Sequence, residues 1–419
     1  MLLAHKTVLK LNPAYCNIIG HMCYAAYKLW NVCNYERLHY KEMDLPVAYP
    51  DWYYQKKAHK DDFWYRQLPA QTAQEVCRLL DKSWKSFYAL KKSHGVENPN
   101  PPRFKHAGIP VTYMQMGIRH EPGSDTVRLS LPKHLMEHLS GAYGIHDRYL
   151  FLENKIFKGM DTIKQVRVYP PEDGECRIIV TCEVPDVQVL PDNGKYLSID
   201  LGLHNLMTCY NSSTGEAFIV GRKYLSLCHY YNKEIARVQS QWGSLQSRKG
   251  IKYPKTSGHI RHLYKKKAAA LDDYLHKVTR YVANYCIRED IHTVVIGDIT
   301  NIREGKDFGN VTNQKLHALP YRKIYQMLEY KLAMAGIRFI LRKESYSSQT
   351  SPLADLVDKA HACKGNRIHR GLYQDGGHTW NADCVGAFNI LRLYFQTEKI
   401  DIRINQMSIP EPYVVKVAA

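Results

Sequence analysis

The stretch KYLSIDLGLHNLMTCY, residues 195–210, has the make-up of a buried strand with an acid set into it. Tyr196, Leu197 and Ile199 suit the core of a sheet, and Leu203, Leu206 and Met207 extend the apolar run, yet Asp200 stands among them. An unpaired carboxylate in such surroundings is expensive and tends to neutralise itself. Something of opposite charge has to offset it.

Working outward, KYLSIDLGL, HNLMTCY and EAFIVG read as three strands, the last two joined by the turn NSSTG. Two long basic helical stretches follow, about 224–246 and 257–289, separated by the Gly- and Pro-containing SRKGIKYPKTSG. Next come a strand TVVIGDI, a helix from about Leu319 to Ala335 and a strand IRFILRKES. An irregular segment, 347–380, leads into a helix in NADCVGAFNILRLYF. Three meandering strands, a helical crossover and then alternating strands and helices follow the order of an RNase H-like domain. The helical hairpin is then an insertion in it.

The first half reads differently. HKTVLKLNP alternates like a strand and stops at Pro13; helices are expected over about Ala14–Met43 and Pro69–Lys92. The breaker-rich PNPPRFKHAG (99–108) leads into short strands, and IKQVRVYPPEDGECRIIVTCEV reads as a hairpin turning at PEDGE. Strands on both sides of a helical insertion predict a small antiparallel β-barrel interrupted by helices. The expected organisation is a multidomain α+β and α/β chain. A barrel over 1–192 carries the helical insertion at about 14–108. The RNase H-like domain begins at 193–346, a small lobe spans 347–380, and the domain's final helix and tail occupy 381–419.

With 419 residues, 45% of them hydrophobic, the chain can bury two or three cores. No apolar run reaches the roughly 20 residues of a membrane span, and MLLAHKTVLKLNP lacks a signal peptide's apolar stretch. A cytoplasmic protein without a membrane partner is expected. The eleven cysteines contain no CxxC pair, so neither a zinc ribbon nor a disulfide framework is indicated. The net charge is +18, and residues 201–350 hold 24 Lys and Arg against 11 Asp and Glu. With 31 tyrosines to stack on bases, this balance points to nucleic acid.

A second acid, Asp383, opens the final helix ahead of Val385, Phe388 and Ile390. Alone it reads as an ordinary helix-terminal aspartate. Paired with Asp200 at the ends of core elements, it describes a metal site: two hard divalent cations take oxygen ligands about 3.5–4 Å apart, one activating water and one holding the leaving oxygen. Such ions would offset the cost of the buried Asp200.

These residues resemble TnpB, the transposon-encoded RNA-guided DNA endonuclease with a RuvC-like nuclease domain and kinship to compact type V CRISPR effectors. SIDLGLHNLMT is similar to its first nuclease motif and NADCVGAFNIL to its third. LPAQTAQEVCRLLDKSWKSFYALKK, PPRFKH and NQKLHALPYRKIYQMLEYKLAMAGI also resemble family segments, so that the likeness covers most of residues 60–395. The resemblance implies a guide RNA, a target DNA unwound into a heteroduplex next to a short flanking motif, and cleavage with two Mg²⁺, for which Mn²⁺ could substitute. It leaves open monomer or dimer, and transposon or CRISPR context. Two other outcomes remain: a nuclease-weakened RNA-guided repressor of the same ancestry, and a transposase or junction resolvase acting without a guide.

The chain departs from the family in two places. The second motif commonly reads VVxEDL; here TVVIGDI has Gly297 in place of the glutamate and Asp298 beside it. Glu344, at the end of the next strand in LRKESYSSQTS, is the expected replacement, because functional groups gather at the carboxyl ends of strands in such sheets. Asp298 is the rival, but neighbouring strand residues point to opposite faces. The family's two CxxC pairs are also missing. Cys363, His361, His369 and His378 are poorly spaced for tetrahedral zinc, and a zinc-free lobe is expected, as in a known branch of TnpB-like proteins. Candidate nucleic-acid contacts are Arg103 and Lys105 in PPRFKH, Lys265, Lys266 and Lys267 in the basic insertion, and Arg367 and Arg370 before the last motif.

Overall fold

The computed structural model describes all residues except 94–95, 301–308, 370, 402–408 and 419. The chain divides into two compact units, Met1–Asp186 and Val187–Ala419.

The first unit begins with β1 (Leu2–Lys10), which ends where Asn12 caps α1 (Pro13–His39) by accepting from the Tyr15 amide. Proline suits the first helical position because its missing N–H has no partner there anyway. Ile18, Met22, Ala25, Leu29 and Cys33 recur at helical spacing and are buried. The helix stops short of the expected Met43. Two short helices, α2 (Trp52–Ala58) and α3 (Phe63–Arg66), precede α4 (Ala70–Ser93), whose stripe Ala73, Cys77, Leu80 and Trp84 packs in the same core. The remaining elements are β2 (Val111–Met114), β3 (Ile118–His120), β4 (Thr126–Ser130), α5 (Lys133–Tyr143), β5 (Tyr149–Glu153), β6 (Thr162–Val168) and β7 (Glu175–Glu183). The β6–β7 hairpin turns at Asp173 and Gly174, both with positive φ, the conformation a two-residue turn matched to strand twist requires. Where a barrel was expected, the strands form two antiparallel sheets, β1-β7-β6-β2 and β3-β4-β5, and among the described residues no hydrogen-bonded ladder closes one onto the other. The helices do enter between β1 and β2.

The second unit has one six-stranded sheet of β8 (Tyr196–Asp200), β9 (Met207–Asn211), β10 (Ala217–Val220), β11 (Thr293–Asp298), β12 (Arg338–Lys343) and β15 (Tyr413–Val415). Their order is β12-β11-β8-β9-β10-β15: β8, β9 and β10 form an antiparallel meander, while β11 runs parallel to β8 and β12 parallel to β11. β15 joins the far edge parallel to β10. Between β10 and β11 lie α6 (Lys223–Arg248) and α7 (Gly258–Arg288); α8 (Asn310–Ala318) and α9 (Tyr321–Ala333) lead into β12. The segment expected to be irregular contains a hairpin of β13 (Leu372–Asp375) and β14 (His378–Asn381), followed by α10 (Ala382–Glu398). Among the described residues no helix is long and apolar enough to cross a membrane.

Side-chain alternation sorts the sheet into two faces. Leu197, Ile199, Val294 and Ile296 pack with α7 and α9, whereas Tyr196 and Val295 pack with Phe388, Ile390 and Leu391 of α10. With a period of two, Asp200, Gly297 and Glu344 fall on the α10 side and Asp298 on the other. That parity places the site.

Candidate active site

Three strands end side by side beneath the first turn of α10. Asp200 closes β8, Gly297 lies one residue before the end of β11, and Glu344 directly follows β12. Asp383 is the second residue of α10, and it does not cap the helix. Asn381 is the cap, its side chain accepting from the Asp383 amide at 3.0 Å and the Cys384 amide at 3.3 Å. The Asp383 carboxylate is left for other partners. It accepts from Asn205 Nδ2 at 2.8 Å and from the Arg367 guanidinium at 3.3 Å, and Asn205 in turn accepts from Arg222 Nε at 2.8 Å.

Two glycines make room for the acids. A Cβ on Gly297 would overlap Glu344 Oε2 and come within 2.9 Å of Ile390 Cδ1. A Cβ on Gly386, one turn into α10, would lie 2.7 Å from Asp200 Oδ2. The carboxylates thus occupy space that any larger residue at 297 or 386 would fill. Glu344 keeps part of its surface exposed, but its Oε2 atom is buried and has no hydrogen-bond partner among the described residues.

The electrostatics follow from this crowding. Burial raises the Asp200 carboxyl well above the usual carboxylate range and Asp383 adds repulsion, with Arg367 and the Leu201 amide offsetting part of it. Burial likewise raises Glu344, reinforced by Asp200 and Asp298. Asp200 is therefore shared by two acidic neighbours. Among the described residues no three His, Cys, Asp or Glu side chains stand close enough to grip a single ion. What the site offers is a set of oxygen donors, mutually repelling, one with an orphaned buried oxygen. That donor set fits hard divalent cations such as Mg²⁺.

Asp298 is used differently. Its Oδ1 accepts from the Thr300 amide at 2.9 Å and from the Thr300 hydroxyl at 2.5 Å, tying up the strand end. On the same side, Tyr325 accepts from the Ile299 amide at 3.0 Å and donates to the Gly297 carbonyl at 2.8 Å.

Of the candidate nucleic-acid residues, Arg367 comes to the acids, paired with Asp383. Arg103 and Lys105 belong to a segment pinned to α1 through its backbone: Trp30 Nε1 donates to the Arg103 carbonyl and Asn31 exchanges two hydrogen bonds with Lys105. The Lys105 ammonium sits 4.6 Å from the Trp30 ring. Lys265 and Lys266 are exposed on α7, and Lys267 donates to Asn232 on α6 at 2.6 Å. Arg370 lies outside the described residues. In the small lobe Cys363 is exposed, His361 is bonded to Asp358 at 2.8 Å, and His378 stacks on Trp380 at 5.5 Å.

Asn205, Arg222 and Gly386 escaped the reading of the sequence. Gly386 carried a usable signal, since it follows Asp383 by three residues and shares its helix face. Asn205 and Arg222 carried none, because loop geometry alone brings them to Asp383.

The second unit's sheet and the acid-bearing end of α10 define a mixed α/β multidomain protein with a fold similar to Cas12 effectors. A solved complex of Cas12f1 with sgRNA and target DNA superposes over 90% of this chain and 83% of its own, with a TM-score of 0.58 at 14% identity. A family model described as a probable transposase (OrfB_IS605) matches residues 179–303, and the Cas12f1-like TNB domain matches residues 321–390. A TnpB-like protein, ORF457 of Acidianus two-tailed virus, is 23% identical over 93% of this chain and 84% of its own. The CRISPR-associated endodeoxyribonuclease Cas12f1 of Sulfoacidibacillus thermotolerans is 30% identical over 31% of this chain and 29% of its own. The chain is thus similar to TnpB-like proteins and, over part of its length, to a type V effector.

Proposed function

We propose that the chain is an RNA-guided DNA endonuclease whose second unit is an RNase H-like, RuvC-type nuclease domain. In this reading a guide RNA pairs with the target strand, the protein holds the heteroduplex by its backbone, and a short flanking DNA motif is read directly. The basic hairpin of α6 and α7 and, separately, the helical insertion of the first unit would contact the nucleic-acid backbone. The lobe of 347–380 and the final helix of 381–419 would complete the nuclease half.

The observation that carries the proposal is the Glu344 carboxylate occupying the space above Gly297, on the same face as Asp200. The second motif lacks its glutamate, and the Glu344 carboxylate from the neighbouring strand stands over that position. Asp200, Glu344 and Asp383 would hold Mg²⁺, which when bound would polarise the scissile phosphate and lower the pKa of water. Burial and repulsion raise the Asp200 and Glu344 carboxyls, and a bound cation would supply the opposite charge that offsets both. Asn205 and Arg367 orient Asp383.

The test is cleavage of a guide-matched, motif-flanked duplex in Mg²⁺. Asp200→Ala, Asp383→Ala and Glu344→Gln are expected to abolish cutting while target binding survives, and Asp298→Asn to keep substantial activity. A cutting Glu344→Gln beside a dead Asp298→Asn would overturn the assignment. A parent that binds but never cuts would leave a repressor.

A further inference from the structure

Away from the carboxylates, the second unit has a basic pocket of about 570 Å³ lined by Lys277, Arg280 and Tyr281 of α7, Tyr330 and Lys331 of α9, and Lys416 just beyond β15. Lys331 is its unusual member, only 3% exposed. Its ammonium donates to the His276 carbonyl at 2.9 Å and the Thr279 hydroxyl at 2.5 Å. Both acceptors are neutral, and among the described residues no carboxylate pairs with it. Burial and the like-charged Arg280 depress it to about 8. Lys277 is paired with Asp273 at 2.6 Å, while Arg280 and Lys416 add exposed positive charge at the rim.

An uncompensated buried ammonium is costly to the fold. Two of its three N–H groups are engaged, leaving one for a ligand. A hard anion would supply the missing charge, and the flat faces of Tyr281 and Tyr330 would suit an attached base. We propose that this pocket is a phosphate site whose ligand is a phosphorylated nucleoside. The assignment is independent of the nuclease reading, and its test involves no cleavage.

The full chain, stripped of nucleic acid at high salt, is titrated calorimetrically with adenosine 5′-monophosphate, inorganic phosphate and adenosine. Saturable binding of the monophosphate, weaker binding of phosphate and none of adenosine are expected. Lys331→Met and the exposed double variant Arg280→Ala/Lys416→Ala should each weaken the monophosphate about tenfold or more. Tyr281→Leu/Tyr330→Leu should weaken the monophosphate and spare inorganic phosphate. Lys331→Met should also melt at a higher temperature than the ligand-free parent and lose the further rise that phosphate gives the parent. If Lys331→Met does not fold, the exposed double variant decides. A 5′-phosphorylated RNA tetramer separates the two sources: tighter binding than the monophosphate assigns the pocket to a nucleotide within a strand, and equal or weaker binding to a free nucleotide. Unchanged monophosphate affinity in the exposed double variant, or no saturable binding of any phosphate probe, overturns the proposal.

Discussion

Gly297 and Glu344 belong together at the residue scale, since a Cβ on the first would overlap the carboxylate of the second. Gly297→Ala should therefore expel Glu344 and lose cleavage, although the substitution adds one methyl group. Moving the acid should restore it: Gly297→Glu with Glu344→Gly is expected to recover a substantial part of the cutting that either single change destroys. Failure of the double variant, folded and guide-loaded, would show that the two positions are not interchangeable. A stability effect accompanies the activity effect. The Glu344 carboxyl is raised above its ordinary 4.5, so its ionisation penalises the fold increasingly as pH rises past that value. Each pKa unit is worth about 1.4 kcal/mol. In EDTA at pH 7.5, Glu344→Gln should melt above the parent, with the gap closing towards pH 4.5. Mg²⁺ should raise the melting point of the parent more than that of the variant. A Glu344→Gln that melts no higher than the parent would mean that the carboxylate is solvated.

Among the elements, the helices of the first unit are tied by a buried polar chain that periodicity does not reveal. The Arg37 side chain on α1 meets Asp81 on α4 at 3.0 Å and Gln55 on α2 at 2.9 Å. Gln55 donates to Glu36 at 2.7 Å, and His59 lies between Glu36 at 3.3 Å and Asp62 at 2.6 Å. Burial would lower the His59 pKa, but the two carboxylates outweigh it and hold the ring up to about 9. A histidine raised above its unfolded 6.5 contributes stability fully below that pH and loses it as pH rises through about 9. The thermal midpoint of the full chain should fall between pH 6.5 and 9.5, and His59→Gln should flatten that slope. An unchanged slope would show that the ring is neutral throughout. At α10 the lesson is similar: the sequence placed Asp383 at a helix start, and the structure gave the cap to Asn381 and so released Asp383 for the site.

For the whole molecule, charge is the governing quantity. The net charge is +18, and residues 201–350 carry an excess of 13 positive groups, with Lys265 and Lys266 exposed on α7. Phosphate contacts by such groups release counterions, so affinity falls steeply with salt. The purified protein is expected to carry RNA, and target affinity should drop by several orders of magnitude between about 50 and 200 mM salt for six to ten contacts. RNA-free protein that binds DNA equally well at both concentrations would contradict the guided reading.

Strands β8 to β12, helices α6, α7, α9 and α10, and the parity that sets Asp200 and Glu344 on one face and Asp298 on the other were legible in the chain, whereas α8, the β13–β14 hairpin and β15 were not. Each legible feature rests on local periodicity: a period of two assigns strand faces, and an apolar stripe marks a helix. The closure of the first unit's strands was not legible. Two hydrogen-bonded sheets or one barrel arise from the same alternation, and only long-range pairing such as Leu2 with Glu183 chooses between them. The Asn205–Asp383–Arg367 contacts, the Gly386 cradle and the buried Lys331 were equally hidden, because they join residues from separate segments of the chain. Alternation and helical spacing act through neighbours in sequence. Charge compensation acts through neighbours in space, and those exist only once the chain has packed.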